Sequence, residues 1–224
     1  MSIEKKSHFQ CFLSKLKNYN TVRPVSRHFG VDRGDIIDRY YIEKFLSQNR
    51  GLIKGVVLEV ANRAYTRKFG GDNVQQSLVL HAAEKADVDI VGNLETGKGI
   101  PENTVDCFIL TQTLLCTFDV FSAAKNAIKI LKPGGVLLLT VPGITQISRF
   151  DYERWGQYWS FTDQSVRKLF DRLVPAENIE IKTYGNVKTA AAFLYGLALH
   201  EIKKKDRDYV DPDYQLVIAA VVKK

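Results

Sequence analysis

A carboxylate inside an apolar strand and a polar turn after a second strand are the first groups in this sequence that could do chemistry. Glu59 lies in the run 55–61, whose other residues are glycine, valine, leucine and alanine. A buried carboxylate is costly unless it is paired, so Glu59 either binds backbone amides or contacts a ligand. The polar turn 111–113 follows the apolar run 106–110. Ligands of parallel sheets bind beyond the carboxyl ends of the strands, so we expect a site at these two places.

A segment with little periodicity and many aromatic residues follows later in the chain. It spans residues 143–160 and contains Trp155, Tyr158 and Trp159. Such rings are suited to stacking on a sugar or another flat substrate, and they are equally suited to covering the end of a sheet as ordinary core. Both interpretations stay open on the sequence alone.

A strand, a helix and a strand between residues 106 and 141 must position these groups. The apolar runs 106–110 and 136–141 predict buried strands, and the amphipathic pattern of 119–131 predicts the helix between them. Short turns join the three elements, so we expect parallel strands with a right-handed crossover. Seven strands in all, with helices between the first five, predict a doubly wound α/β fold. The other strands are predicted at 55–61, 77–81, 88–91, 179–184 and 215–222, and further helices at 36–47, after Thr162 or Asp163, and at 187–203.

The predicted organisation is an N-terminal helical arm, residues 1–34, followed by one domain, residues 35–224. Within the arm, residues 8–18 place four large apolar side chains at helical spacing, with lysines elsewhere on the turn. A basic amphipathic helix can lie on a membrane surface. The apolar stripe is short, which favours packing against the domain instead.

Composition and charge narrow the class of protein. The chain has 224 residues, of which 45% are hydrophobic and 25% charged, as in ordinary globular proteins. It contains no apolar run of about 18 residues, so we expect no transmembrane segment. Three cysteines without metal-ligand spacing indicate a reducing, cytoplasmic location and no metal site. The net charge of +7 permits a nucleic-acid partner, but the lysines are scattered and no nucleic-acid motif accompanies them.

The turn before the fifth strand carries the most specific motif. Residues 131–137 read Leu-Lys-Pro-Gly-Gly-Val-Leu, and one helix separates the last two strands. This arrangement resembles the class I S-adenosylmethionine-dependent methyltransferases over residues 35–224. The resemblance implies a mostly parallel seven-stranded sheet with an antiparallel last strand, and S-adenosylmethionine as cofactor. A closer likeness is to a bacterial subgroup often found with sugar and glycosyl-transfer genes, and it is carried by residues 38–43, 65–71, 154–159, 184–187 and 211–214.

The resemblance also assigns residues to the cofactor, which would lie across the ends of strands one to four. Glu59 matches the acid of the family's first motif, whereas the glycines of the following turn are replaced by Ala61, Arg63 and Tyr65. Glycine permits positive φ and close approach to a ligand. The cofactor-binding residues implied are Glu59, Ala61 and Tyr65, His81 near the ribose, Asn93 and Leu94 near the adenine, Thr111 and Gln112 near the methionine portion, and Arg33 and Tyr40 closing over the cofactor.

Methyl transfer depends mainly on aligning the acceptor with the methyl group, and a hydroxyl acceptor gains from a general base. We predict Asp151 as that base, although it is equally well explained as a solvated loop residue, and Trp155, Tyr158 and Trp159 as substrate-binding residues. The predicted function is methylation of a small-molecule or saccharide hydroxyl. One alternative, favoured by the glycine-poor turn, is a binding or scaffold protein that has lost the cofactor. A nucleic-acid methyltransferase is the other, without the usual Asn/Asp-Pro-Pro-aromatic signature after strand four.

Overall fold

The computed structural model describes residues 21–224, so the predicted helix at 8–18 lies outside the described residues. At its centre is one sheet of seven strands in the order β3-β2-β1-β4-β5-β7-β6. The pairs are parallel except those of β7, which runs antiparallel to β5 and β6. The predicted fold, a doubly wound α/β sheet with an antiparallel last strand, is confirmed. The strands are β1 (Gly55–Val60), β2 (Val74–His81), β3 (Ile90–Val91), β4 (Val105–Thr111), β5 (Leu131–Pro142), β6 (Ile179–Tyr184) and β7 (Val217–Lys223).

Helices cover both faces of this sheet, and side chains cap several of their first turns. Asp119 accepts from the Ser122 amide, and Thr162 and Ser165 form a reciprocal capping box. These contacts satisfy amides that have no partner within the helix. The α-helices of residues 21–224 are α1 (Ile37–Gln48), α2 (Ala64–Phe69), α3 (Val120–Lys129), α4 (Arg149–Arg154), α5 (Asp163–Phe170), α6 (Val187–Leu194) and α7 (Lys204–Asp208).

Strand β4 shows how the core is divided between the two faces. Phe108 and Leu110 belong to the apolar layer that contains residues of α3 and α5, whereas Cys107 and Ile109 belong to the layer that contains residues of α1 and α6. All four side chains are fully buried, as expected for a central parallel strand. Its polar end, Thr111, marks where the sheet opens toward the site.

Two glycines lie within the first part of β5, where its pairing with β4 is irregular. β5 begins at Leu131 rather than at the predicted residue 136, because Leu131 already pairs with Val105. Gly134 has a φ of +77°, and a Cβ on Gly135 would lie 2.9 Å from the Lys132 carbonyl oxygen. Glycine therefore lets the chain turn tightly and rejoin the sheet.

The helix predicted at 187–203 is wrong in length, because α6 ends at Leu194. Gly196 follows with a φ of +70°, and a Cβ there would lie 2.2 Å from the Ser26 carbonyl oxygen. The Val25 amide also donates to the Tyr195 carbonyl at 2.8 Å. The N-terminal segment thus packs against the end of α6 and stops it. The division into an arm, residues 1–34, and a domain, residues 35–224, stays a prediction.

Within residues 21–224, no helix combines the length and apolar character needed to cross a membrane. In the same part of the chain, no group of three or more His, Cys, Asp or Glu side chains could hold a metal ion.

Candidate functional site

Two adjoining cavities lie beyond the carboxyl ends of the central strands. The first cavity has a volume of about 390 Å³ and is bounded by the ends of β1, β2 and β4 and by the loop after β3. This volume is within the range of small-molecule sites, roughly 300–1,000 Å³. The sequence-predicted residues that line it are Ala61, His81, Asn93, Leu94, Thr111, Gln112, Asp151 and Trp155.

The second cavity begins where the first one ends. Its volume is about 680 Å³, and its walls are α1, α2 and the segment 142–157. Four residues line both cavities, so the two spaces meet at the ends of β1 and β4. The shared residues are Val60, Thr111, Gln112 and Asp151.

Glu59 organises the turn between β1 and α2. Its carboxylate accepts from the amides of Tyr65 and Thr66, at 3.0 and 2.9 Å, and from the Thr66 hydroxyl at 2.9 Å. Burial raises the pKa of Glu59, and these hydrogen bonds oppose the rise. The carboxylate thus fixes the first turn of α2, while its side chain also lines the second cavity.

Ala61 keeps the backbone conformation of a glycine. Its φ is +71°, and its amide donates to the Leu80 carbonyl at 3.0 Å. Left-handed backbone is unfavourable for a residue with a Cβ. The turn therefore follows a path suited to glycine even though glycine is missing there.

Two bulky side chains of this turn leave the first cavity open. Arg63 donates to the Ser77 and Asp87 carbonyls, each at 3.2 Å, and pairs with Asp89 at 2.5 Å. It lines neither cavity. Tyr65 stacks on Phe69, with 6.3 Å between ring centroids, and lines only the second cavity.

Gln112 is the polar group that most clearly lacks a partner. Its backbone has a φ of +46°, and its amide donates to the Thr140 carbonyl at 2.8 Å. The side-chain Nε2 is buried and has no hydrogen-bond partner among residues 21–224. A buried donor without a partner costs free energy, and natural proteins keep few of them. Because Gln112 lines both cavities, a ligand could supply the missing acceptor.

The ends of β2 and β3 carry His81 and Asn93. The Lys85 ammonium lies 2.8 Å from His81 Nε2. Nδ1 lies 2.9 Å from both the carbonyl oxygen and the amide nitrogen of Ala83, and the amide donates to it. Asn93 Oδ1 accepts from two amides of its own turn. Both residues line the first cavity, as the resemblance implies for the ribose and adenine sites.

The segment after β5 divides its predicted residues between the cavities and the surface. Asp151, on α4, lines both cavities, and Trp155 lines the first with its ring 5.5 Å from that of His81. Trp159 lines neither cavity, because its Nε1 donates to the Thr117 carbonyl at 2.9 Å. Tyr158 also lines neither, and its ring packs edge-on against exposed Phe118.

Arg33 and Tyr40 make their contacts elsewhere. Arg33 pairs with Glu201 at 2.8 Å, and the Tyr40 hydroxyl donates to Asp208 at 2.5 Å. Neither residue lines either cavity. Their predicted closure over a cofactor stays a prediction that would require these pairs to rearrange.

Sequence reasoning missed Asp38 and Cys116. Asp38 is half-buried on α1, lines the second cavity, and has its pKa raised to about 6 by burial. An indication was present, because Asp38 shares the helix face of Ile42 and Phe45, which are buried. Cys116 lines the first cavity, and burial raises its pKa to about 11, so the thiol is neutral.

Comparisons with known proteins give a consistent fold and little sequence similarity. No family model matches the chain. A protein of Dictyostelium discoideum named "Probable polyketide synthase 10" is 25% identical over 96 residues, which is 43% of this chain and only 4% of that protein.

Three solved structures that match 95% or more of the chain are 11–16% identical to it. A S-adenosylmethionine-dependent methyltransferase of Archaeoglobus fulgidus is 11% identical, over 97% of this chain and 100% of that one, with a TM-score of 0.53. The N-methyltransferase NodS of Bradyrhizobium japonicum, solved with S-adenosyl-L-homocysteine, is 12% identical over 95% and 97%, with a TM-score of 0.51. The 4+2 cyclase SpnF is 16% identical over 95% and 92%, with a TM-score of 0.51. The chain therefore has the fold of the class I S-adenosylmethionine-dependent methyltransferases.

Proposed function

We propose that this protein is a S-adenosylmethionine-dependent methyltransferase, with the cofactor in the first cavity and the methyl acceptor in the second. The observation that carries this proposal is Gln112, which lines both cavities and whose buried Nε2 lacks an acceptor among residues 21–224. Bound cofactor would supply a methyl group on a positively charged sulfur and acceptor atoms for this amide.

The residues of the first cavity fit an adenosyl group. Leu94 is apolar and suits the face of the adenine, and Asn93 suits its polar edge. His81 and the turn at Ala61 would lie beside the ribose. Gln112 would donate to the methionine portion. The direction of Arg63, away from the cavity, leaves room for these contacts.

The proposed acceptor is a hydroxyl of a small molecule or saccharide. Trp155 lines the first cavity, and Tyr158 and Trp159 are exposed outside both cavities in the same segment of the chain. Aromatic faces of this kind favour sugars and other flat substrates. Asp151, at the junction, is the residue predicted from the sequence to take the acceptor's proton. The N-methyltransferase among the structural neighbours makes an amine the second acceptor to test.

A binding or scaffold protein that has lost the cofactor is the competing function. The Cβ of Ala61 at positive φ favours it, and the methyltransferase fold also supports a cyclase.

Calorimetry with S-adenosylhomocysteine separates the two functions, since the proposed enzyme should bind it. Gln112→Ala should weaken binding about tenfold through loss of one donor. Gln164→Ala, on the exposed side of α5, is the matched control and should bind like wild type. Absence of heat with wild-type protein at millimolar ligand would refute cofactor binding.

A further inference from the structure

The second cavity contains four carboxylates, and they differ in how well they are paired. Glu59 is saturated by its three hydrogen bonds, and Glu43 forms an ion pair with Lys68 at 2.7 Å. Asp38 accepts only the Arg39 amide, at 2.6 Å, through one of its two oxygens. Its other oxygen has no hydrogen-bond partner within the described part of the chain. Asp38 is therefore available to a ligand.

The two carboxylates that remain are Asp38 and Asp151, and Asp38 is held on the more rigid element. It lies in the first turn of α1, a helix of 12 residues whose Ile37, Tyr41 and Phe45 are buried in the core. Asp151 lies on the six-residue helix α4, in a segment with exposed aromatic residues. A group on a rigid element holds its geometry better than one on a surface segment. Asp38 lines the second cavity, where the proposed acceptor would lie, and Asp151 lines both cavities.

We propose that Asp38, rather than Asp151, faces the reacting atoms and takes the proton of the methyl acceptor. This rests on the proposed function. In the step, a lone pair of the acceptor oxygen or nitrogen forms a bond to the methyl carbon. The carbon–sulfur bond breaks, its electron pair stays on the sulfur, and the acceptor's proton passes to the Asp38 carboxylate and then to water.

The charge around Asp38 suits a base that works near neutral pH. The charged and titratable groups that face the cavity with it are Arg39 and Glu43 on α1, Tyr65 and Lys68 on α2, Glu59 on β1, and Asp151 on α4. Burial raises the Asp38 pKa to about 6 despite the nearby Arg39. The carboxylate is therefore mostly ionised at pH 7.5 and mostly protonated at pH 5.

Two cofactor analogues test this placement without a known acceptor. Sinefungin carries an amino group in place of the sulfonium methyl, whereas S-adenosylhomocysteine carries nothing there. If Asp38 faces the reacting position, its carboxylate pairs with the ammonium of sinefungin. Wild-type protein should then bind sinefungin roughly tenfold or more tightly than S-adenosylhomocysteine at pH 7.5, and the ratio should fall at pH 5.

The variants Asp38→Asn and Asp151→Asn decide between the two carboxylates. Asp38→Asn should abolish the preference for sinefungin while binding S-adenosylhomocysteine within about twofold of wild type, and Asp151→Asn should retain it. A preference that persists in Asp38→Asn, or that disappears only in Asp151→Asn, would overturn this inference alone. Failure of wild-type protein to bind either analogue would overturn the proposed function as well.

Discussion

The left-handed backbone at Ala61 gives a prediction with a matched control. Ala61→Gly keeps the turn after β1 and removes only the Cβ, which is unfavourable at a φ of +71°. Ala82 also lines the first cavity and is also exposed, and its φ is not positive. Ala82→Gly therefore makes the same chemical change at an ordinary backbone conformation.

The magnitudes follow from two opposing terms. A residue with a Cβ in the left-handed region costs roughly 1–2 kcal/mol. Glycine increases the entropy of the unfolded chain by about 0.4–1 kcal/mol relative to alanine. We expect Ala82→Gly to show the entropy of the unfolded chain alone, as a loss of stability. Ala61→Gly shows both terms, so it should leave stability unchanged or raise it. The entropy term cancels in the difference, which should be roughly 1–2 kcal/mol in favour of Ala61→Gly.

Urea denaturation of the three proteins measures this difference. Thermal unfolding should agree, at roughly 2–4 °C per kcal/mol for a chain of this size. Equal loss of stability in the two variants would refute the argument, because the turn at Ala61 would then carry no backbone strain. A change in the denaturant slope would indicate an altered unfolded state instead.

The remaining predictions concern the two cavities. The chain has two tryptophans, and only Trp155 lines the first cavity. S-adenosylhomocysteine should change the fluorescence of wild type and of Trp159→Phe, and a change that survives in Trp155→Phe would contradict the placement. Asp38→Asn should raise stability, since a carboxyl whose pKa is raised on folding destabilises the fold once ionised. The gain should be absent below its ordinary pKa of 3.8 and complete above about pH 6. Each pKa unit corresponds to about 1.4 kcal/mol, and the partial exposure of Asp38 reduces the expected gain to roughly 1 kcal/mol. Equal gains in the free energy of unfolding at pH 4 and pH 7.5, measured by urea denaturation, would contradict this prediction.

The local pattern of apolar, polar and turn residues was sufficient to predict most of the helices and strands. The bounds of β6 were predicted to the residue, because turn residues flank its run on both sides. The helix after Thr162 begins where its capping side chain indicated. The predicted length of the helix at 187–203 was wrong. The helix ends early where Ser26 approaches Gly196, which is a contact between distant parts of the chain. The helix propensity of a short stretch of sequence carries no information on such a contact.

The position of the candidate site in the fold was predictable from the sequence, whereas the residues that form it were predictable only in part. Strand ends located Thr111 and Gln112, because ligands of such sheets bind there. The direction of Arg63 was not predictable, since its partner Asp89 belongs to another loop. The helix face of Asp38 indicated its burial, but its place in the second cavity was not predictable, because the other walls are α2 and the segment after β5. The subgroup associated with sugar genes and the cytoplasmic location stay predictions.

The shared wall at α4 restricts how this protein could be re-engineered. Replacing Asp151 by a larger residue would alter both cavities together, so under the proposed function it would change the acceptor and cofactor sites at once. The faces of α1 and α2 that carry Ile42, Tyr65 and Lys68 line only the second cavity. Under the proposed function, a library confined to those two helices would vary the methyl acceptor while leaving the cofactor's cavity unchanged.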